Sequence, residues 1–251
     1  MKIISWNING FRAIYQKDFL TNLKTINPDI IGLQEIKAKE NQLPANLLRM
    51  AGYQLILNPA KRAGYSGTAV YSKKEPKSTN KSLGLDRFDN EGRLIELEFE
   101  NFNIMNLYLP NGGRQKQDMG YKLKVYDRLF SYIKDKKSLV LIGDFNIAHQ
   151  PIDLARPVEN KNNTGFTPKE REKIDQLLDL GFVDTFRLFN KEGGNYSFWA
   201  YFARARERNI GWRIDYCFVS QDLKEKVKEA FILPKVLGSD HCPVGIALEL
   251  F

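Results

Sequence analysis

Strand-like and helix-like runs alternate along the chain and predict an α/β protein, in which two mixed β-sheets pack face to face with helices outside each. Two observations carry this expectation. Several strand-like runs, such as LVLIG at Leu139–Gly143 and DIIGL at Asp29–Leu33, are apolar on both faces, as strands covered on both sides tend to be. There is also more strand than so few amphipathic helices could cover in one sheet, and packing two sheets together resolves the shortfall.

The strand-like runs are Ile3–Ile8, Asp29–Gln34, Tyr53–Leu57, Thr68–Ser72, Arg93–Glu100, Asn103–Leu109, Leu139–Gly143, Arg213–Val219 and Pro243–Leu250. Leu94–Glu100 alternates apolar and charged residues and reads as a half-buried antiparallel strand. Helical spacing by three and four links Phe19, Leu20, Leu23 and Ile26, stopped at Pro28, and recurs in Leu123, Tyr126, Phe130 and Ile133. A further helix starts at Thr167 as N-cap, with Pro168 at its first position and Glu170 closing a capping box. Ile174, Leu177 and Leu178 form its apolar stripe, and Gly181 ends it. No linker or low-complexity stretch interrupts the chain. Two β-rich halves, 1–110 and 138–250, joined by a helix around 121–135, read as one domain over 1–251.

Composition narrows the setting. With 43% hydrophobic and 27% charged residues the chain has the make-up of a soluble globular protein. The N-terminus MKIISWNING lacks the apolar core of a signal peptide, and no apolar run approaches the ~20 residues of a membrane helix. Cys217 and Cys242 are too few for a disulfide framework, which points to a reducing, cytoplasmic location. An excess of 38 Lys and Arg over 30 Asp and Glu favours a polyanionic partner.

Polar residues cluster where the apolar strands end. The first strand runs into Trp6-Asn7-Ile8-Asn9-Gly10, the second into Gln34-Glu35, and a later one into Tyr108-Leu109-Pro110-Asn111. Gly143-Asp144-Phe145-Asn146 follows another, Asp215 lies in Trp212-Arg213-Ile214-Asp215, and Ser239-Asp240-His241 precedes the last. An isolated Asp or Asn after a strand ordinarily makes a turn. Recurrence at successive strand ends instead suggests acids and amides converging on one rim. Oxygen ligands there would suit Mg²⁺, while two His and two Cys without finger-like spacing do not suit zinc. His149 reads as a structural hydrogen-bonding residue. Phe198, Trp199, Tyr201 and Phe202, followed by Arg204, Arg206, Arg208 and Trp212, could each be core or solvated surface when taken singly.

WNING, LQEIK, LYLPNGGR, GDFNIAH, NKNNTGFTPKER, NIGWRIDY and GSDHCP together resemble the signature segments of the exonuclease III family of abasic-site endonucleases, within the wider endonuclease/exonuclease/phosphatase superfamily. The resemblance runs from residue 2 to the C-terminal strand. NIGWRIDY and the Asn-rich GFTPKER segment are its most specific parts. It implies a four-layer, DNase I-like α/β sandwich and cleavage of the phosphodiester 5′ to abasic sites, with 3′-phosphodiesterase or 3′–5′ exonuclease activity.

The roles it implies fall on matching positions. Glu35 is the expected principal metal carboxylate, with Asn7 and Asp240 beside it and Mg²⁺ as cofactor, Mn²⁺ as a substitute. His241 paired with Asp215 would contact the scissile phosphate, and Asp144 positioned by Asn146 would handle a proton. Tyr108 and Asn111 would hold phosphate oxygens. Asp144, His241 and a Tyr108 phenolate all stand as candidates for the general base, with Asp144 preferred. Phe198 and Trp212 would line a pocket for a flipped-out sugar, and Phe202 would touch DNA nearby. Arg114, Asn160, Asn163, Lys61 and Arg62 would meet backbone phosphates. Asn9 departs from relatives with Asp there and removes a charge from the metal region. The expected partner is duplex DNA with abasic sites or blocked 3′ ends, bound by a monomer and not at a membrane. Alternatives are a predominantly 3′–5′ exodeoxyribonuclease, a phosphatase acting on phospholipid head groups, and a catalytically silent DNA-binding module.

Overall fold

The apolar runs become strands in which nearly every side chain is buried. A computed structural model describes residues 1–250, so Phe251, the last residue of the expected 1–251 domain, lies outside the described residues. The strands are β1 (Lys2–Asn7), β2 (Ile30–Gln34), β3 (Gln54–Asn58), β4 (Thr68–Ser72), β5 (Ser78–Asn80) and β6 (Leu94–Glu98). They continue with β7 (Asn103–Tyr108), β8 (Leu139–Asp144), β9 (Phe182–Asp184), β10 (Asp215–Ser220), β11 (Val227–Ile232) and β12 (Val244–Leu248). They form two six-stranded sheets, ordered β11-β12-β1-β2-β4-β3 and β5-β6-β7-β8-β10-β9. β1–β2 and β7–β8 run parallel and the other pairs antiparallel, so both sheets are mixed.

Three apolar layers separate four layers of structure. Ile3, Ile30 and Val70 of the first sheet meet Ile104, Val140 and Ile142 of the second. Outside the first sheet, Phe19, Leu23 and Ile26 of helix Phe19–Ile26 pack on Ile4, Ile31 and Leu33. Outside the second, helices Met119–Ile133 and Pro168–Asp179 cover Met105, Leu141 and Phe218. This is the four-layer sandwich expected. No helix among the described residues is long and apolar enough to cross a membrane.

β5–β7, from the first half of the chain, join the second sheet, and β11 and β12 return to the first beside β1. Several expectations need correction. β6 is not half-buried. Glu96, midway along it, is buried because Asn80, Tyr132 and Lys136 all donate to its carboxylate. In helix Met119–Ile133 the buried face is Lys122, Val125, Tyr126, Leu129, Phe130 and Ile133, so Leu123 lies off it. β5, β9 and β11 were not foreseen. Two of them are three-residue strands.

Between the sheets, just below their polar end, Gln34 Nε2 donates to Ser5 Oγ at 3.0 Å and Asn106 Oδ1 at 2.6 Å. Asn106 Nδ2 in turn donates to the carbonyls of Leu33 and Ala69 at 3.1 and 3.0 Å. Gly32 makes room for this bridge, because a Cβ there would lie 2.6 Å from Asn106 Oδ1 and 2.7 Å from Ile142 Cδ1. Gly32→Ala is therefore expected to destabilise the fold by about 1–3 kcal/mol, measured by urea unfolding; an unchanged midpoint would show that the sheets separate freely here.

Candidate active site

Strand register builds the rim. Asp144 ends β8 and stands opposite Tyr108 on β7 and Asp215 on β10, so three polar side chains occupy one row across the second sheet. Gly143 allows β8 its close approach: at φ 150°, any Cβ would fall 1.9 Å from the Leu107 carbonyl oxygen. In the first sheet Asn7 on β1 pairs with Gln34 on β2, and Glu35 follows. Asp240 and His241 lie in the turn before β12, anchored by Ser239 Oγ, which donates to the Asn7 carbonyl at 2.8 Å, and by Trp6 Nε1, which donates to the His241 carbonyl at 3.2 Å. Asn9, Glu35, Lys37 and Asn146 all have φ between 48° and 54°, a costly backbone state concentrated at this rim.

Both sheets meet at Asp144. Asn7 Nδ2 donates to its Oδ2 and the Asn146 amide to its Oδ1, each at 2.9 Å. His241 Nδ1 lies 2.8 Å from Asp215 Oδ2, leaving Nε2 4.0 Å from Asp144. All three groups are buried. Burial and the neighbouring Asp215 carboxylate push Asp144 above its ordinary pKa, against the opposing effects of His241, Asn7 and Asn146. For His241 burial disfavours the charged ring, yet the carboxylates of Asp215, Asp144 and Asp240 outweigh it and raise the pKa. The site thus pairs a carboxylate made more basic with an imidazolium held protonated.

Glu35 faces Tyr108, whose hydroxyl donates to Oε1, while Lys37 Nζ lies 2.7 Å from Oε2. Burial alone would raise the Glu35 pKa, but the charge and hydrogen bond of Lys37, aided by Tyr108, hold it below the usual value. Tyr108 moves the other way: burial and the Glu35 charge push it well above its ordinary value, against the Arg93 guanidinium stacked 4.3 Å from its ring. In this arrangement the Tyr108 hydroxyl is a donor to Glu35. Lys37 Nζ also donates to Asn9 Oδ1 at 2.5 Å, and Asn9 Nδ2 to Asp240 Oδ1 at 3.0 Å, so Asn9 links Glu35 to Asp240.

Asn111 Nδ2 donates to Asn146 Oδ1 at 3.0 Å, and Asn146 Nδ2 to the Leu109 carbonyl at 2.9 Å. Phe198 packs against the His241 ring, centroids 4.8 Å apart, and bridges Trp212, with Leu154 and Phe166 behind. Phe202 is 76% exposed. Lys61, Arg62, Arg114 and Asn163 are also exposed. Asn163 Nδ2 donates to Asn160 Oδ1 at 2.9 Å, and Asn160 to the Arg156 carbonyl at 2.9 Å, which shapes their loop. His149 pairs with Asp175 at 2.6 Å, away from the carboxylates of the rim.

Sequence reading missed Lys37, Arg93, Arg213 and Lys122. Arg213 is buried in a fork with Asp184 (2.7 Å) and a bond to Asp153 (2.7 Å), fixing the approach to Asp215. Its neighbour Asp215 was found because it ends a polar cluster; a buried cation gives no such signal.

Asp144, Asp215 and His241 offer ligand atoms within 4.8 Å of one another. This acidic cluster and the Glu35–Asp240 side together make an oxygen-rich donor set of the kind that suits a hard cation. Asp215 Oδ1 is also buried without a hydrogen-bond partner.

The family model described as Endonuclease/Exonuclease/phosphatase matches residues 4–241, spanning every element of this site. The chain belongs to the endonuclease/exonuclease/phosphatase family. Among members of this family, an exodeoxyribonuclease of Bacillus subtilis (strain 168) is 47% identical over 255 residues, covering 100% of both chains. An AP endonuclease from Archaeoglobus fulgidus superposes with a TM-score of 0.90 at 29% identity, over 99% of each chain. The 3′ phosphatase NExo from Neisseria, in a structure bound to a product DNA hairpin, gives 0.91 at 29% identity, again over 99% of each chain. The endonuclease/exonuclease/phosphatase fold in this chain is thus the four-layer sandwich that frames the Asp144 rim.

Proposed function

We propose that the chain is a Mg²⁺-dependent nuclease that hydrolyses the phosphodiester 5′ to abasic sites in duplex DNA and also removes nucleotides or blocking groups from 3′ ends. The observation that carries this reading is the placing of Asp144 beside the Asp215-paired His241, with Tyr108 and Asn111 across the rim. The names of the relatives, an exodeoxyribonuclease and an AP endonuclease, favour DNA over a phospholipid head group as substrate.

A phosphodiester repels hydroxide, so its oxygens must be neutralised and the water held in line. His241, kept protonated by Asp215, and the hydroxyl of Tyr108 supply positive charge and a donor at the phosphate. Asp144, oriented by Asn7 and Asn146, takes the proton of the attacking water as its oxygen bonds to phosphorus; the P–O3′ bond breaks, and the departing 3′ oxygen takes a proton from solvent, leaving a 3′-hydroxyl and a 5′ sugar-phosphate. Glu35, Asn7 and Asp240 would hold the metal; at the alternative Asp144–Asp215–His241 cluster a cation would have to displace the 2.8 Å His241–Asp215 bond. When bound, Mg²⁺ (Mn²⁺ can stand in) adds charge neutralisation at the phosphate oxygens. Phe198 and Trp212 would receive the baseless sugar, whose missing base lowers the cost of extrusion. Phe202 would touch the duplex beside the lesion, and Arg114, Asn160, Asn163, Lys61 and Arg62 would contact its backbone.

A duplex with a single stable abasic analogue tests this. Incision 5′ to the lesion is expected with Mg²⁺ and none with EDTA, and binding is expected to weaken as salt rises because phosphate contacts release counterions. An intact strand in the presence of Mg²⁺ would overturn the reading. Rates on a recessed 3′ end in the same assay decide whether the exonuclease work is the larger share.

A further inference from the structure

A second polar cluster lies directly beneath the rim and takes no part in the chemistry above. Lys122 in helix Met119–Ile133 and Glu170 in helix Pro168–Asp179 form an ion pair at 2.6 Å, and both side chains are 0% exposed. The ammonium has three hydrogens and three acceptors: Glu170 Oε1, the Asn111 carbonyl at 3.0 Å and the Asn146 carbonyl at 2.7 Å. Glu170 also accepts from the Gly165 amide at 2.9 and 3.0 Å, the Thr167 amide at 3.1 Å and Thr167 Oγ1 at 2.6 Å. The capping box accounts for the bonds with Thr167. It does not account for the burial of Glu170, for Gly165, or for Lys122.

The pair lies where three segments converge, which are also tied by the Ala148 amide donating to the Gly165 carbonyl and by Thr164 Oγ1 donating to the Gly113 carbonyl, each at 2.8 Å. Asn111 and Asn146 follow β7 and β8 and are bonded to each other through their side chains. Gly165 belongs to the loop carrying Asn163 and lies against the Trp212 ring, where a Cβ would come within 3.3 Å. Burying a lysine and a glutamate together is costly, and apolar pairs of similar volume often serve stability as well or better. What an apolar pair cannot do is draw two carbonyls to one point. We infer that Lys122 and Glu170 are positioning residues: their ion pair fixes the Asn111–Asn146 donors relative to the loop of Asn163 and the Trp212 pocket wall, so that the scissile phosphate and its flanking backbone are held in one register. The inference rests on the nuclease reading for its substrate.

The test uses the full chain with Lys122→Met and with the neutral double variant Lys122→Met/Glu170→Gln. On the abasic duplex kcat is expected to fall about 100-fold, as a misplacement of ångström scale would cause, while KM moves less than about threefold. Amide hydrogen exchange is expected to quicken about tenfold or more in 111–114, 146–148 and 160–167, and to stay unchanged in β1 and β2. The double variant leaves no buried unpaired charge, so it should keep the melting temperature within about 5 °C of the parent while kcat stays low. Should Lys122→Met fail to fold, the double variant alone decides. A folded variant with kcat within about threefold of the parent, or one whose exchange quickens equally throughout, would overturn the inference. If the parent protein itself leaves the abasic duplex intact, the nuclease reading fails, and the local exchange pattern still decides whether the pair positions these loops.

Discussion

Asparagine at position 144 is expected to lower kcat on an abasic duplex by about 10³-fold while binding of the uncut lesion stays near that of the parent protein. The substitution preserves shape, so the rim keeps its packing. It removes a carboxylate that both sheets support, through Asn7 on one side and Asn146 on the other. An amide cannot accept at both of its ends, so one of those donors loses its partner, but the larger loss is the proton acceptor itself. Single-turnover cleavage with Mg²⁺ and binding in EDTA measure the two quantities separately. Near-native single-turnover rates in Asp144→Asn would remove Asp144 from the proton transfer and return His241 to candidacy.

The second large effect is in the pH profile. Asp144 acts deprotonated and its pKa is raised, so activity should be lost as pH falls through a point above the ordinary aspartate value of about 4. His241 acts protonated and its pKa is raised, so activity should be lost as pH rises through a point above the ordinary histidine value of about 6.5. A bell with both limbs displaced upward is the expected shape. His241→Gln should cost about 10²-fold in kcat and abolish the alkaline limb. Asp215→Asn, which removes the strongest of the carboxylates supporting the imidazolium, should move that limb to lower pH instead. An alkaline limb that persists unchanged in His241→Gln would mean that some other group carries it.

Much of this architecture was legible in the sequence because burial on both faces leaves a plain mark. LVLIG and IIGL could hardly be anything but central strands, and a polar residue directly after each had to emerge at a sheet end. That logic found Asn7, Glu35, Tyr108 and Asp144, a polar cluster ahead of a strand found Asp215, and the structure brings the five to one rim. Edge strands escaped it: Ser78–Asn80 and Phe182–Asp184 are too short to show a period, and Val227–Ile232 is only partly buried. Buried cations escaped it as well. Arg93 and Lys122 look like ordinary surface charges in a line of sequence, since the Tyr108 carbonyl and ring beside Arg93 and the Glu170 carboxylate beside Lys122 are brought to them only by the fold.

The return of β11 and β12 to the first sheet has a consequence for the order in which a working molecule comes into being. β1 lies between β2 and β12, so the first of the sandwich's strands to be synthesised waits for the last before its edge is covered. Glu35, Tyr108, Asp144 and Asp215 are all synthesised before Asp240 and His241, which arrive in the turn immediately ahead of β12. A ribosome-bound chain thus holds most of the rim without the imidazole that completes it. Such long-range pairing slows folding, and on the proposed chemistry it means that the backbone-cutting centre comes together only with the sheet that encloses it.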